Sequence, residues 1–244
     1  MVNGDAFDDA VEQAGNNPGL SVGIHLVLVQ GRATATPAEI PDLVNPEGYF
    51  PNNPVLAGMK YFFLKSLRPQ IEKELRAQIQ KFASTGLNIS HINSHLNIHM
   101  HPSIFEIVLK PAEEFGVKNI RIPKDNLFLN LKLDRSALVY KFLHSIIFNI
   151  LAKMHRKKLL RHGFKCADVV YGLLQSGNMY ETHVCGLLNN LKDGTSEMYF
   201  HPDSLPCDNW YGRPDNYRCN EEFQALLSQR AKEIIRENSI RLVN

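Results

Sequence analysis

Residues His91 to Pro102, HINSHLNIHMHP, constrain this chain more than any other segment. Four of its ten histidines lie there: His91, His95, His99 and His101. All four are odd-numbered, as are Asn93 and Asn97, while Ile92, Leu96, Ile98 and Met100 sit between them. A period of two predicts a β-strand with imidazoles and amides on one face and apolar groups on the other. Imidazole is a common metal ligand and the side chain best placed for proton transfer near neutral pH. One histidine in a core strand is ordinarily a hydrogen-bonded core residue. Four at alternating positions point to a site, because His, Asp and Glu clusters are the raw material of metal and catalytic centres. The spacing does not say which of them bind metal.

The rest of the chain alternates strand and helix signals. Ser21–Val29, SVGIHLVLV, reads as a buried strand whose only ionisable residue is His25. The Pro-, Gly- and Asn-rich stretch from Gly31 to Pro54 reads as loop. Residues 69–86 read as an amphipathic helix with Ile71, Leu75, Ile79 and Phe82 inward and Gly86 at its end. After the histidine strand, Ser103 and Glu106 form a capping-box pattern for a helix to about Phe115. Lys118–Pro123 reads as a strand, and Asp134 as the cap of a long helix from Arg135 to Leu160. Strands follow at 166–173 and 196–200, with a helix at 180–191 between them. A last helix begins after Asn220, and Ile240–Val243 reads as a final strand. Alternating units imply a parallel sheet. A single domain built as a TIM-like (β/α) barrel is the expected fold, with a doubly wound open sheet as the alternative. In a barrel, the strand-end rule places His25, His95, Arg121 and His201 around one mouth.

Bulk properties exclude several classes. A net charge of +2 gives no argument for nucleic acid. Neither GxGxxG nor a Walker loop is present, which argues against nucleotide binding. Cys166, Cys185, Cys207 and Cys219 show no CxxC spacing and read as reduced thiols of a cytoplasmic protein. No secretory leader and no run of about 18 apolar residues is apparent. His25 and the 91–101 cluster supply the donors a catalytic metal needs, and neutral imidazoles with a carboxylate suit Zn²⁺ and similar ions. His201, in YFHP, sits where a strand-end catalytic histidine would sit. Arg121 is placed to hold an anion or a sugar hydroxyl.

These residues also resemble a known family, the YdjC-like carbohydrate deacetylases. The likeness runs from MVNG through VGIHLVL and HINSHLNIHMHP to NIRIP and EMYFHP. The segments PDLVNPEGYF, VVYGLLQSGNMYE and SEMYFHP are most similar to the branch associated with hopanoid biosynthesis. The resemblance implies a TIM-like barrel and removal of N-acetyl groups from amino sugars, here from an N-acetylglucosamine-bearing hopanoid glycolipid. It implies a divalent metal, Mg²⁺ or Zn²⁺, held by His25, His95 and one Asp. In such a reaction His201 is the imidazole expected to stabilise the tetrahedral oxyanion or protonate the leaving amine, and Arg121 and His99 are expected to contact the substrate.

Two departures stand out. Asn93 and Asn97 occupy positions where the family commonly has Asp and His. Asn93 can orient a ligand imidazole from behind but cannot act as a base. The family's opening Asp-Asp-Phe-Gly motif has no counterpart here, so the first βα unit and the carboxylate ligand are expected to be missing. The 244-residue chain alone is then expected to be inactive or nearly so until an upstream Asp-containing segment is restored. Alternatives are a soluble chito-oligosaccharide deacetylase, or a noncatalytic relic or binding module. The reading leaves a homodimer open as the assembly.

One helix raises a further expectation. Leu138, Phe142, Ile146, Ile150 and Met154 recur every four residues and run into Lys153, His155, Arg156, Lys157, Lys158, Arg161 and His162. Such a helix either packs its stripe on its own sheet or lies peripherally on an anionic membrane surface.

Overall fold

The computed structural model describes residues 1–204 and 216–243; Cys207 lies outside them. In chain order the elements are α1 (Phe7–Asn16), β1 (Ile24–Leu26), α2 (Pro54–Phe63), α3 (Arg68–Ala83), β2 (His91–Ser94), α4 (Pro102–Glu114), β3 (Asn119–Ile120), α5 (Leu127–Leu133), α6 (Leu138–Arg161), β4 (Val169–Tyr171), α7 (Glu181–Leu188), β5 (Ser196–Met198), α8 (Cys219–Leu227) and α9 (Gln229–Glu237). They fall into two compact units, Met1–Arg121 with Met154–Cys166, and Ile122–Lys153 with Ala167–Asn244.

The first unit holds a parallel sheet in the order β1-β2-β3. Its register sets Ile24 beside Ile92, His25 beside Asn93 and Leu26 beside Ser94. β3 follows with Asn119 beside His91 and Ile120 beside Ile92. The second unit holds β4 and β5, parallel, with Val169 beside Ser196 and Tyr171 beside Met198. The α/β class and the parallel pairing are as expected. The expected barrel is not found, because the described strands form two separate sheets of three and two strands, neither of them closed. Two local causes stop the strands of the first unit early. Beyond Leu26, the Gln78 side chain accepts from the Val27 N–H (2.9 Å) and donates to the Val27 carbonyl (2.6 Å). Those are the groups a longer ladder would need. Beyond Ser94, Leu96 and Asn97 turn left-handed, at φ 49° and 54°.

α3 behaves as its pattern dictates: Ile71, Leu75, Ile79 and Phe82 are all buried. Each such side chain contributes about 1.5–3 kcal/mol by leaving water. The stripe does not reveal that Glu74 and Gln78 are buried beside it. The Glu74 carboxylate accepts from the N–H groups of Thr34 and Ala35, at 2.9 and 2.8 Å, which fixes the loop that follows β1 to the helix.

Several boundaries differ from the sequence reading. α4 is capped by His101, whose Nδ1 accepts from the Ser103 N–H, so Ser103 is inside the helix and forms no capping box. α1, α2 and α5 lie where no helix is expected, although Asn53 and Pro54 give α2 a side-chain cap and a proline at its first turn. The last helix is two, because Ser228 ends α8 and its hydroxyl accepts from the Ala231 N–H to start α9. Ile240–Val243 forms no strand. The core of the second unit gathers Leu129, Tyr171, Met179, Val184, Leu187 and Ile234.

Candidate functional site

The left-handed turn after Ser94 sends the four clustered histidines to four different environments. They do not share one strand face. His91 remains on β2 and lies over Gly23, where an added Cβ would come within 2.4 Å of the ring. His101 caps α4. His99 is buried: its Nε2 donates to the Arg121 carbonyl (2.8 Å), and its Nδ1 accepts from the Ser94 hydroxyl (2.5 Å). Both of its ring nitrogens are therefore committed within the protein. His95 alone is carried toward β1.

There it meets His25. The two rings stand edge to face with centroids 6.0 Å apart. His25 Nδ1 donates to Asn93 Oδ1 (2.6 Å), which places the ring's lone pair on Nε2. Parallel pairing makes this contact, since His25 and Asn93 are direct neighbours in the β1–β2 register. His95 Nε2 donates to Gln30 Oε1 (3.2 Å), and Gln30 is held in that orientation by its own bond to the Asn52 carbonyl (2.9 Å). Burial lowers the His25 pKa to about 3 against the partial offset of the Asn93 bond. Burial likewise lowers that of His95. Both imidazoles are thus neutral near pH 7, the form that coordinates metal. Arg121 is close enough for its charge to favour the neutral forms of His25 and His99.

Backbone strain marks the same place. Five described non-glycine residues have positive φ, and Gln30, Leu96 and Asn97 are three of them. A left-handed Leu costs about 1–2 kcal/mol, and such costs concentrate where a site fixes the chain. Gln30 and Ser94 are site residues that sequence patterning missed. No local signal distinguishes Gln30, since its role follows from a φ of 51°.

The donor set can be tested against a divalent ion. Two neutral imidazoles, one oriented from behind by a polar side chain, match two positions of such an ion's shell. A catalytic ion usually takes three protein ligands. Among the described residues, no group of three or more His, Cys, Asp or Glu side chains could hold one. The pair therefore fits a metal as a partial donor set.

His201 belongs to the second unit, three residues beyond β5. The buried carboxylate of Glu222 accepts from its backbone N–H and lies 3.9 Å from its ring Nδ1. Glu222 also accepts from the Met179 N–H (2.9 Å). It fixes the backbone around His201, a function the sequence reading did not assign.

A YdjC-like protein family model matches residues 1–237. The chain belongs to the YdjC-like family. A carbohydrate deacetylase of Brevibacillus brevis is 41% identical over 123 residues, 50% of this YdjC-like chain and 46% of that protein. One from Oceanobacillus iheyensis is 41% identical over 117 residues, covering 48% of each chain. Those matches span about half the length of these relatives. A carbohydrate deacetylase of Thermoanaerobacter pseudethanolicus matches at 22% over 229 residues, 93% of this chain and 77% of that one. The fold is similar to the crystal structure of a candidate cellobiose-phosphate cleavage protein from Enterococcus faecalis. That likeness has a TM-score of 0.74 and 22% identity over all of this chain and 84% of the other.

The buried histidines make stability acid-sensitive. Burial lowers the His99 pKa from 6.5 to about 4. The unfolded chain takes up this proton first, so the associated stability is complete above about pH 6.5 and is lost as the pH falls toward 4. The full shift is worth about 3 kcal/mol. Urea unfolding at a series of pH values between 7 and 4 is expected to show a shallower slope for His99→Gln than for the parent. Equal slopes would remove His99 as a source of this dependence.

Proposed function

We propose that this YdjC-like chain acts in a metal-dependent N-deacetylase that removes acetyl groups from N-acetylglucosamine-bearing carbohydrates, a hopanoid glycolipid being the finer assignment. The observation that carries the reading is the His25–His95 pair, with centroids 6.0 Å apart and His25 oriented by Asn93. The carbohydrate deacetylase names of its relatives support the reaction class.

The reaction is amide hydrolysis: a water oxygen bonds to the acetyl carbon, the C–N bond breaks, and the amine nitrogen receives a proton. A divalent ion, when bound, supplies carbonyl polarisation and a more acidic water. His25, through Nε2, and His95 would hold it, and two imidazoles favour Zn²⁺ over Mg²⁺. Asn93 keeps the proton of His25 on Nδ1. Arg121 brings a positive charge for a substrate oxygen. His99 braces the base of the site through Ser94 and the Arg121 carbonyl. His201 is the candidate for stabilising the oxyanion or protonating the leaving amine, and within its own unit Glu222 holds its backbone.

The test is acetate release by the full-length protein from two substrates, an N-acetylglucosaminyl glycolipid and N,N′-diacetylchitobiose. Release from the glycolipid that is lost with chelator and restored by metal is the expected result. Release from N,N′-diacetylchitobiose alone would move the substrate to soluble chito-oligosaccharides. Failure on both would reject the deacetylase reading.

A further inference from the structure

α6 is built inside out. Its buried stripe is Lys141, Ser145, Ala152, His155 and Leu159, whereas Phe142, Leu143, Ile146, Ile147, Ile150 and Met154 are each 44–55% exposed. At roughly 100° per residue, these two sets centre on opposite sides of the helix. The polar side is anchored inward. Lys141 Nζ lies 2.8 Å from both the carboxylate and the carbonyl oxygen of Asp134. His155 Nε2 donates to the Met100 carbonyl (3.0 Å), and its ring stacks on Phe105 with centroids 3.9 Å apart. The apolar stripe seen in the sequence consequently faces out. From Leu138 to Ile150 it extends about 18 Å along the helix, a larger continuous apolar surface than isolated exposed residues produce.

The same outward face ends in cations. Lys153, Lys157 and Arg161 follow at intervals of four, in line with the apolar residues, and residues 138–161 contain no Asp or Glu. Lys158 points elsewhere and pairs with Glu106. The face is thus apolar over its first turns and cationic over its last. A second copy of the chain complements it poorly. Antiparallel pairing sets the cations of one helix on the apolar turns of the other, and parallel pairing stacks cations on cations, with no carboxylate on either helix. An anionic bilayer surface offers both hydrocarbon and negative charge.

We propose that the outward face of α6 docks on the surface of an anionic lipid bilayer. Phe142, Ile146 and Ile150 enter the headgroup boundary, and Lys153, Lys157 and Arg161 meet lipid phosphates. The helix lies on the surface, since no helix among the described residues is long and apolar enough to cross a membrane. This inference does not depend on the deacetylase reading.

The experiment is co-sedimentation of the full-length protein with phosphatidylcholine vesicles, with and without phosphatidylglycerol. At low salt the protein is expected to bind the phosphatidylglycerol vesicles and to be released as salt rises. Changing Lys153, Lys157 and Arg161 together to Gln is expected to weaken binding by about 100-fold. Changing Ile146 and Ile150 to Ser is expected to weaken it independently. Far-UV circular dichroism checks that both variants keep the parent's helix content, as substitutions at exposed positions should. Three results would overturn the proposal: no vesicle binding by the parent at low salt, unchanged binding by the Gln variant, or a solution dimer that Ile146→Glu dissociates while vesicle binding stays unchanged.

Discussion

Replacing His25 or His95 by Ala in the full-length protein is expected to lower acetate release by more than about 100-fold, whereas Asn93→Leu lowers it by about 10- to 100-fold. The order follows from what each residue supplies. On the proposed reading each imidazole supplies one neutral nitrogen, Nε2 of His25 and Nδ1 of His95, from rings whose centroids are 6.0 Å apart. Asn93 supplies no donor. It holds the His25 proton on Nδ1 through a 2.6 Å bond, so its loss would misorient the His25 ring without removing an imidazole. Initial rates for the three variants at saturating metal give the comparison. If Asn93→Leu were as damaging as His25→Ala, Asn93 would have to act on the substrate itself.

The largest effect on stability is expected from Lys141→Met. Lys141 is 1% exposed and holds the Asp134 carboxylate at 2.8 Å. Burial alone would raise the Asp134 pKa, but the bonds from Lys141, Ser136 and Gln175 outweigh it and keep the carboxyl well below the usual carboxylate range. Removing one partner of a buried pair typically costs 3–5 kcal/mol. Ser136 and Gln175 still reach Asp134, so the lower end, about 3 kcal/mol, is expected, with Tm falling by about 6–12 °C. Because the carboxyl pKa is depressed, the pair's stability is present above an unfolded pKa of about 3.9. It is lost as the pH drops below that value, and the difference between parent and variant narrows there. Adding Asp134→Asn should recover part of the loss. Thermal unfolding of the single and double variants at pH 7 measures both effects, and a change below about 0.5 kcal/mol would show that the pair is no more than a surface ion pair in effect.

The sequence made the α/β class and the histidine pair legible, and for different reasons. α3 and the parallel strand pairs follow from local periodicity, which is a property of neighbouring residues. His25 was identifiable as the one ionisable group in an apolar strand. Periodicity alone leaves His95 as one of four, because a strand drawn through Pro102 puts all four on one face; the strand-end rule and the family resemblance are what single it out. The left-handed Leu96 and Asn97 broke that period, and two non-glycine residues at positive φ leave no signature in composition. Gln30, Glu74, Gln78 and Glu222 were illegible for a related reason. Each is a polar side chain that satisfies backbone groups far away in sequence, and long-range satisfaction has no period. α6 shows the opposite failure. Its period of four shows the apolar stripe, but the direction of that stripe is set by Lys141 and His155, whose partners Asp134 and Met100 lie outside the helix.

The most direct test of the central claim is a Zn²⁺ titration of this protein followed by calorimetry, beside His25→Ala and His95→Ala. One ion per chain is predicted for the parent, with binding lost or weakened by more than about 100-fold in both variants while their circular dichroism is unchanged. Zn²⁺ affinity that survives intact in either folded variant would contradict the assignment of His25 and His95 as a shared metal site.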